Sequence, residues 1–175
     1  NALSTLDVDA TSASLAGNVR TAGAQTYTGA MTLAGTVKLD AGGALATGAI
    51  TGAGHDLTLA GAGNATIASA SGLGGVTIDQ TGTTAFTGSL AANSLGVTNS
   101  GGMTFGAGAT VTGALTNTAS ATTTTGTINA GSIGLGAVTL ASATTLSSNG
   151  TIATGAVTGA GNNLTLVGTG AATLA

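Results

Sequence analysis

Residues 47–68 read TGAITGAGHDLTLAGAGNATIA, and residues 154–175 read TGAVTGAGNNLTLVGTGAATLA. The two stretches are 107 residues apart and are identical at 15 of 22 positions. The same offset aligns GAMTLA at 29–34 with GAVTLA at 136–141. Internal repeats of this kind predict a stacked architecture. We therefore expect one segment over 1–175, with a long repeat of 107 residues at about 25–131 and a second copy from 132 that is truncated at 175.

Shorter runs inside the long repeat alternate apolar and small polar residues. Alternation of period two predicts strands that turn Leu, Val, Ile, Met or Phe inward and Thr, Ser or Asn outward. Gly, Asn and Asp separate the runs, as tight corners require. The runs lie at 30–35, 56–61, 75–79, 85–88, 102–106, 109–117, 136–141 and 163–168. Their spacing predicts an all-β solenoid with coils of about 20 residues, five to a long repeat and roughly eight in the chain, uncapped at both ends.

The composition agrees with a solenoid and excludes several other classes. Charged residues make up 4%, aromatic residues 2%, and Pro and Cys are absent. A mean hydropathy of +0.49 and a net charge of −3 do not match a disordered chain. All seven charges precede residue 80, namely Asp7, Asp9, Arg20, Lys38, Asp40, Asp56 and Asp79. Two scattered basic residues cannot neutralise a nucleic acid, and no apolar run is long enough for a membrane helix.

The repeat resembles a known family. GAQTYTGAMTLAG at 23–35, TGAITGAGHDLTLAGAGNATI at 47–67 and TGTTAFTG at 81–88 are similar to repeats of filamentous-haemagglutinin-like bacterial exoproteins. The resemblance implies a right-handed parallel β-helix that is exported by two-partner secretion or as an autotransporter. It also implies an extracellular or cell-surface location and a part in adhesion, biofilm or filament formation. The partners it implies are neighbouring repeats, further rods in lateral or end-to-end contact, and a host or environmental surface.

The sequence offers no catalytic, cofactor-binding or metal-binding residues, and we predict that the chain is not an enzyme. His55 beside Asp56 resembles an acid–base pair, but GAGHD aligns with GAGNN, so His55 is expected at a turn position. Asp40 and Asp56 are the carboxylates that stacked coils could bring together, as a glycosidase requires. Lys38 is expected beside Asp40 as a surface ion pair.

Four further patterns indicate a structural role or leave their role open. Gly72–Gly75 lacks the Asp that a calcium-binding repeat loop needs, and Gly52-Ala53-Gly54 is interpreted as a corner. Asn64, Asn149 and Asn163 begin glycosylation sequons, whose use the sequence leaves open. The aromatic residues Tyr27, Phe86 and Phe105 are expected to fill the core, although Tyr27 is equally compatible with an outward position.

The sequence thus predicts a structural and adhesive fibre segment and leaves two alternatives. The first is an ice- or surface-binding solenoid, since Thr-rich strings occur at 26–28, 110–112, 116–118 and 122–125. We do not expect these strings to recur at one position of the coil. The second is a polysaccharide-processing β-helix enzyme.

Overall fold

The computed structural model describes residues 2–175, and every regular element in that range is a strand. All strand pairs are parallel and belong to one sheet of 19 strands. The strands are β1 Leu6–Val8, β2 Ser12–Leu15, β3 Val19–Thr21, β4 Gln25–Tyr27, β5 Ala30–Leu33, β6 Val37–Ala41, β7 Leu45–Thr51, β8 Leu57–Gly61, β9 Ala65–Gln80, β10 Thr83–Phe86, β11 Leu90–Asn99, β12 Gly102–Phe105, β13 Ala109–Asn117, β14 Thr122–Leu135, β15 Val138–Ser148, β16 Ile152–Thr154, β17 Val157–Thr158, β18 Leu164–Gly168 and β19 Ala172–Leu174.

The pairings define a coil with three faces. Face I begins with β1 and β4, face II with β2 and β5, and face III with β3 and β6. The longer strands bend around corners and contribute to more than one face; β14, for example, contributes to all three. Each strand therefore pairs with its counterparts in the coils below and above, and the predicted β-solenoid is confirmed.

The coils are slightly shorter and more numerous than the sequence predicts. They hold about 19 residues each and number about nine, instead of eight coils of about 20. One reason is an unusually short coil in which Thr122 pairs with Val138, only 16 positions further on, whereas Leu45 pairs with Ala65. At about 4.7–4.9 Å per coil, the stack is roughly 40 Å long.

The period-two pattern fixes which side chains enter the core. In β8, Leu57 and Leu59 are fully buried while Thr58 between them faces outward. Leu39 below and Ile78 above stack on Leu59 at the same register position. Fully burying such a side chain contributes about 1.5–3 kcal/mol. The inward side chains of successive coils merge into one continuous apolar core.

A glycine ladder marks the corner between faces III and I. Its members in successive coils are Gly23, Gly43, Gly63, Gly82 and Gly101. A Cβ atom on Gly63 would lie 1.9 Å from the carbonyl oxygen of Gly43, and one on Gly82 would lie 2.3 Å from that of Gly63. The N–H of Gly43 donates to the carbonyl of Gly23 at 3.0 Å, and the N–H of Gly101 to that of Gly82 at 2.9 Å. Glycine is required here because the coils approach backbone to backbone.

The 107-residue repeat does not contain a whole number of coils. Leu45 lies on face I, but its equivalent Ile152 lies on face III. Likewise Leu59 lies on face III and its equivalent Leu166 on face II. The expectation of five coils per long repeat is wrong. One repeat of 107 residues covers five full coils and then two of the three faces of the next coil. Equivalent residues therefore occupy different sides of the rod.

The glycine ladder gives a direct test of coil spacing. Gly63→Ala is expected to lower the free energy of unfolding by about 2 kcal/mol or more, because overpacking of a close backbone contact forces neighbouring coils apart. Gly96→Ala is the matched control, since a Cβ atom there meets nothing within 4 Å. Thermal unfolding followed by circular dichroism measures both variants. Equal midpoints for Gly63→Ala and Gly96→Ala would contradict the close approach.

Candidate functional site

We number the coils from the face I strand that begins each one, so that coils one to nine begin at residues 6, 25, 45, 65, 83, 102, 122, 138 and 157. The charged side chains lie on coils one to four, and coils five to nine carry none. One ion pair occurs within residues 2–175, between Arg20 Nε and Asp40 Oδ2 at 3.6 Å. These two residues occupy the same register position in adjacent coils. The prediction that Lys38 is the ion partner of Asp40 is therefore wrong, because the stacking direction brings Arg20 closer. Such an exposed pair contributes little to stability.

Asp40 and Asp56 are not brought together. Asp40 lies near the end of β6, where it pairs with Ala60, whereas Asp56 precedes β8 at the opposite end of face III. Asp56 has a structural role instead, because its Oδ1 accepts a hydrogen bond from the N–H of Gly75 at 2.6 Å. A Cβ atom on Gly74 would lie 2.4 Å from the same oxygen, so the carboxylate fits under a glycine backbone.

His55 closes a tight turn, as the sequence predicts. Ala53 and Gly54 have φ angles of +50° and +84°, and the His55 N–H donates to the carbonyl of Gly52 at 2.9 Å. Two consecutive positive φ values with this bond are the pattern of a type I′ turn. Residues 159–162 repeat the turn, with φ angles of +49° at Ala160 and +86° at Gly161.

The glycines at 72–75 serve coil stacking. The N–H of Gly54 donates to the carbonyl of Gly72 at 2.7 Å, and the N–H of Gly74 donates to that of His55 at 2.9 Å.

Within residues 2–175 no group of three His, Cys, Asp or Glu side chains could hold a metal ion. Of the sequon residues, Asn64 accepts the N–H of Thr83 through Oδ1 at 3.0 Å, while Asn149 and Asn163 are exposed.

The aromatic side chains lie inside the solenoid. Phe86 and Phe105 stack with centroids 6.4 Å apart and planes inclined by 10°, and both are fully buried. Tyr27 is also buried, and its hydroxyl donates to Gln25 Oε1 at 3.3 Å. The inward position is the correct one of the two that the sequence left open for Tyr27.

A buried polar seam along the corner of faces III and I is the main feature that the alternation rule misses. Gln25 is fully buried, and its Nε2 donates to the carbonyl of Asp40 at 2.9 Å. Higher in the stack, Thr84 donates to Gln80 Oε1 at 2.8 Å, and Asn117 Nδ2 donates to Thr122 at 2.8 Å. The clue in the sequence is a polar residue in an inward position of the alternating pattern.

The structure also contains a groove, which the sequence does not reveal. Two adjoining hollows of about 200 and 270 Å³ follow the corner of faces II and III from the fourth coil to the eighth. Its polar lining consists of Asn93, Thr110, Thr112, Asn129 and Asn149. The strand register shifts at this corner in successive coils, between Ala92 and Leu95 and between Val111 and Ala114. Such irregularities are over-represented at sheet edges and next to active sites.

Comparisons with protein families, with curated proteins and with solved structures give no match. Among residues 2–175 there is also no helix that is long and apolar enough to cross a membrane.

Tyr27 predicts a pH dependence of stability. Burial raises the pKa of Tyr27 to about 12, from an ordinary value of 10.0. In the unfolded chain the phenol ionises near its ordinary pKa, whereas in the folded chain it stays neutral until about pH 12. The free energy of unfolding is therefore unaffected by Tyr27 below pH 10 and falls as the pH rises from 10 towards 12. We expect the free energy of unfolding to fall by up to about 3 kcal/mol over this window.

Chemical denaturation between pH 8 and pH 12 measures this effect. The control is Tyr27→Phe, which keeps the ring and removes the ionisable group, so its stability should change much less over the same range. An identical pH profile for the two proteins would show that another group is responsible.

Proposed function

We propose that this chain is a structural and adhesive rod segment of a large secreted bacterial surface protein. The observation that carries the proposal is the unbroken stack of nine three-faced coils. Strands in every coil hydrogen-bond along the rod axis, so extension of the rod would have to break parallel ladders on all three faces together. A rod of this kind supports filaments, biofilm matrix or attachment at a cell surface.

The surface of coils five to nine supports lateral contact between rods. No charged side chain occurs there, and the outward positions hold mainly Thr, Ser, Asn, Ala and Gly. Sheet proteins use surface charge to keep their strands apart, and this part of the rod has no such repulsion. We infer that copies of the rod associate side by side through their uncharged part, while the charged coils stay separate.

Restoring charge to the uncharged part tests this association. The double variant Thr104→Lys/Thr139→Lys places two cations on outward positions of face I in coils six and eight. We expect wild-type protein to self-associate with rising concentration at low salt and the variant to remain monomeric. Sedimentation velocity measures both, and added salt should partly reverse the effect by screening.

The matched control is Thr26→Lys/Thr66→Lys, which adds the same charge to the same column of face I in the charged coils. It should associate like the wild type. Wild-type protein that stays monodisperse at high concentration would contradict lateral association.

One column of threonines favours a second candidate, an ice- or surface-binding solenoid. Thr104, Thr123, Thr139 and Thr158 stack in four consecutive coils on face I. The Thr-x-Thr strings at 26–28 and 123–125 also share one position of the coil, which corrects the expectation that none recur. Thr28, Thr87 and Thr125, however, donate back to carbonyls of the coil below. Face I therefore keeps one column of free threonine hydroxyls. A separate column of exposed hydroxyls, Ser14, Thr32, Thr51 and Ser71, lies on face II.

A freezing assay separates the two candidates. We expect no thermal hysteresis, because the two hydroxyl columns lie on different faces and each presents a single row, which is too few ordered hydroxyls to match a crystal plane. Hysteresis that is present in the wild type and lost in Thr123→Lys would favour ice binding.

A further inference from the structure

We propose that the groove along the corner of faces II and III binds an extended, neutral polysaccharide chain parallel to the rod axis. The inference deepens the adhesive part of the proposed function and rests on it for its biological setting. Its physical basis is the lining of the groove.

The polar side chains of the groove are available for a ligand. None of Asn93, Thr110, Thr112, Asn129 and Asn149 makes a side-chain hydrogen bond within residues 2–175, and all five are exposed. Several asparagines outside the groove are engaged by the protein itself, although Asn99 and Asn163 are not. Asn18 accepts the N–H of Lys38, Asn64 that of Thr83, and Asn162 donates to the carbonyl of Leu140. The groove thus brings together three amides and two hydroxyls that make no side-chain hydrogen bond within the described residues.

The spacing of these groups fits a linear polymer. Thr110 lies between Ala91 in the coil below and Asn129 in the coil above, at the same register position. Each coil from the fifth to the eighth contributes one or two polar side chains to the groove. Three coil spacings separate the first from the last and span about 14 Å. A polymer with hydroxyl groups on every unit meets a donor or acceptor at each of these four coils.

The floor of the groove is apolar and shallow. Leu73, Ala92, Val111 and Ala130 form it, and each is buried in the core. Small apolar surface between amides and hydroxyls suits the C–H face of a sugar ring, which needs both contact types.

The chemistry of the lining excludes other polymer classes. Charged side chains are absent from coils five to nine, so an anionic glycan or a nucleic acid gains no ion pair. A peptide strand gains no backbone pairing, because the strands that line the groove already pair with the coils on both sides. Amide and hydroxyl groups both donate and accept, which matches a neutral polyhydroxylated chain.

Binding of defined oligosaccharides to the full chain tests the proposal. The probes are cellohexaose, laminarihexaose and maltohexaose, three neutral linear hexasaccharides, with hexagalacturonate as the anionic counterpart. We expect isothermal titration to detect binding of at least one neutral probe and weaker or no binding of hexagalacturonate. Thr112→Arg, which fills the groove, and Asn129→Ala, which removes one amide, should each weaken binding at least fivefold.

The matched control is Thr116→Arg, an exposed outward position of β13 on face III away from the groove. It should bind like the wild type. The proposal is overturned if no neutral probe binds at millimolar concentration, if hexagalacturonate binds more tightly, or if Thr112→Arg and Thr116→Arg weaken binding equally.

Two measurements keep this outcome distinct from that of the proposed function. Thermal unfolding and electron microscopy of each variant report whether the rod is intact, and an intact rod without glycan binding overturns only the groove proposal. Sedimentation of Thr112→Arg covers the remaining occupant, a second rod. If Thr112→Arg abolishes self-association and Thr116→Arg does not, the groove is a rod–rod contact and the glycan proposal is wrong.

Discussion

The parallel hydrogen-bonded contact between successive coils is the constraint on which the rest of the structure depends. It sets the separation of coils at about 4.7–4.9 Å over the whole rod. At that distance two side chains in the same position must pack directly on each other, and two backbones at a corner have no room for a Cβ atom. The glycine ladder from Gly23 to Gly101 and the column of Leu39, Leu59 and Ile78 are two results of one spacing.

The same constraint explains how polar side chains are used. Some backbone N–H groups find no strand partner and bind a side chain of the neighbouring coil instead. Asn18, Asn64 and Asp56 supply the missing acceptors, one coil below the group that each serves. Inside the core Gln25 has the opposite role, because its Nε2 donates to the carbonyls of Val19 and Asp40 in two successive coils. The amide and carboxylate side chains named here therefore form hydrogen bonds between adjacent coils.

The sequence predicts most of the fold because period two is a local property. Runs such as ATVTGALTN at 109–117 coincide with a strand, Ala109–Asn117. The number of coils and the ion partner of Asp40 are not local, since both depend on which residue lies one coil away. A single coil of 16 residues is enough to shift all later positions. The groove forms only because the corners between faces II and III in five successive coils have compatible lengths, and no single sequence motif indicates such a feature.

The out-of-phase repeat has a geometric consequence. The turn at Gly52–His55 stands at the corner of faces II and III, whereas its equivalent at Gly159–Asn162 stands at the corner of faces I and II. A flat partner can therefore touch only one of these equivalent turns at a time. Avidity between the two requires a partner that curves around the rod or several partners approaching from different directions. Repetition of the sequence therefore distributes equivalent contact sites around the axis of the rod and does not align them in a row along one side.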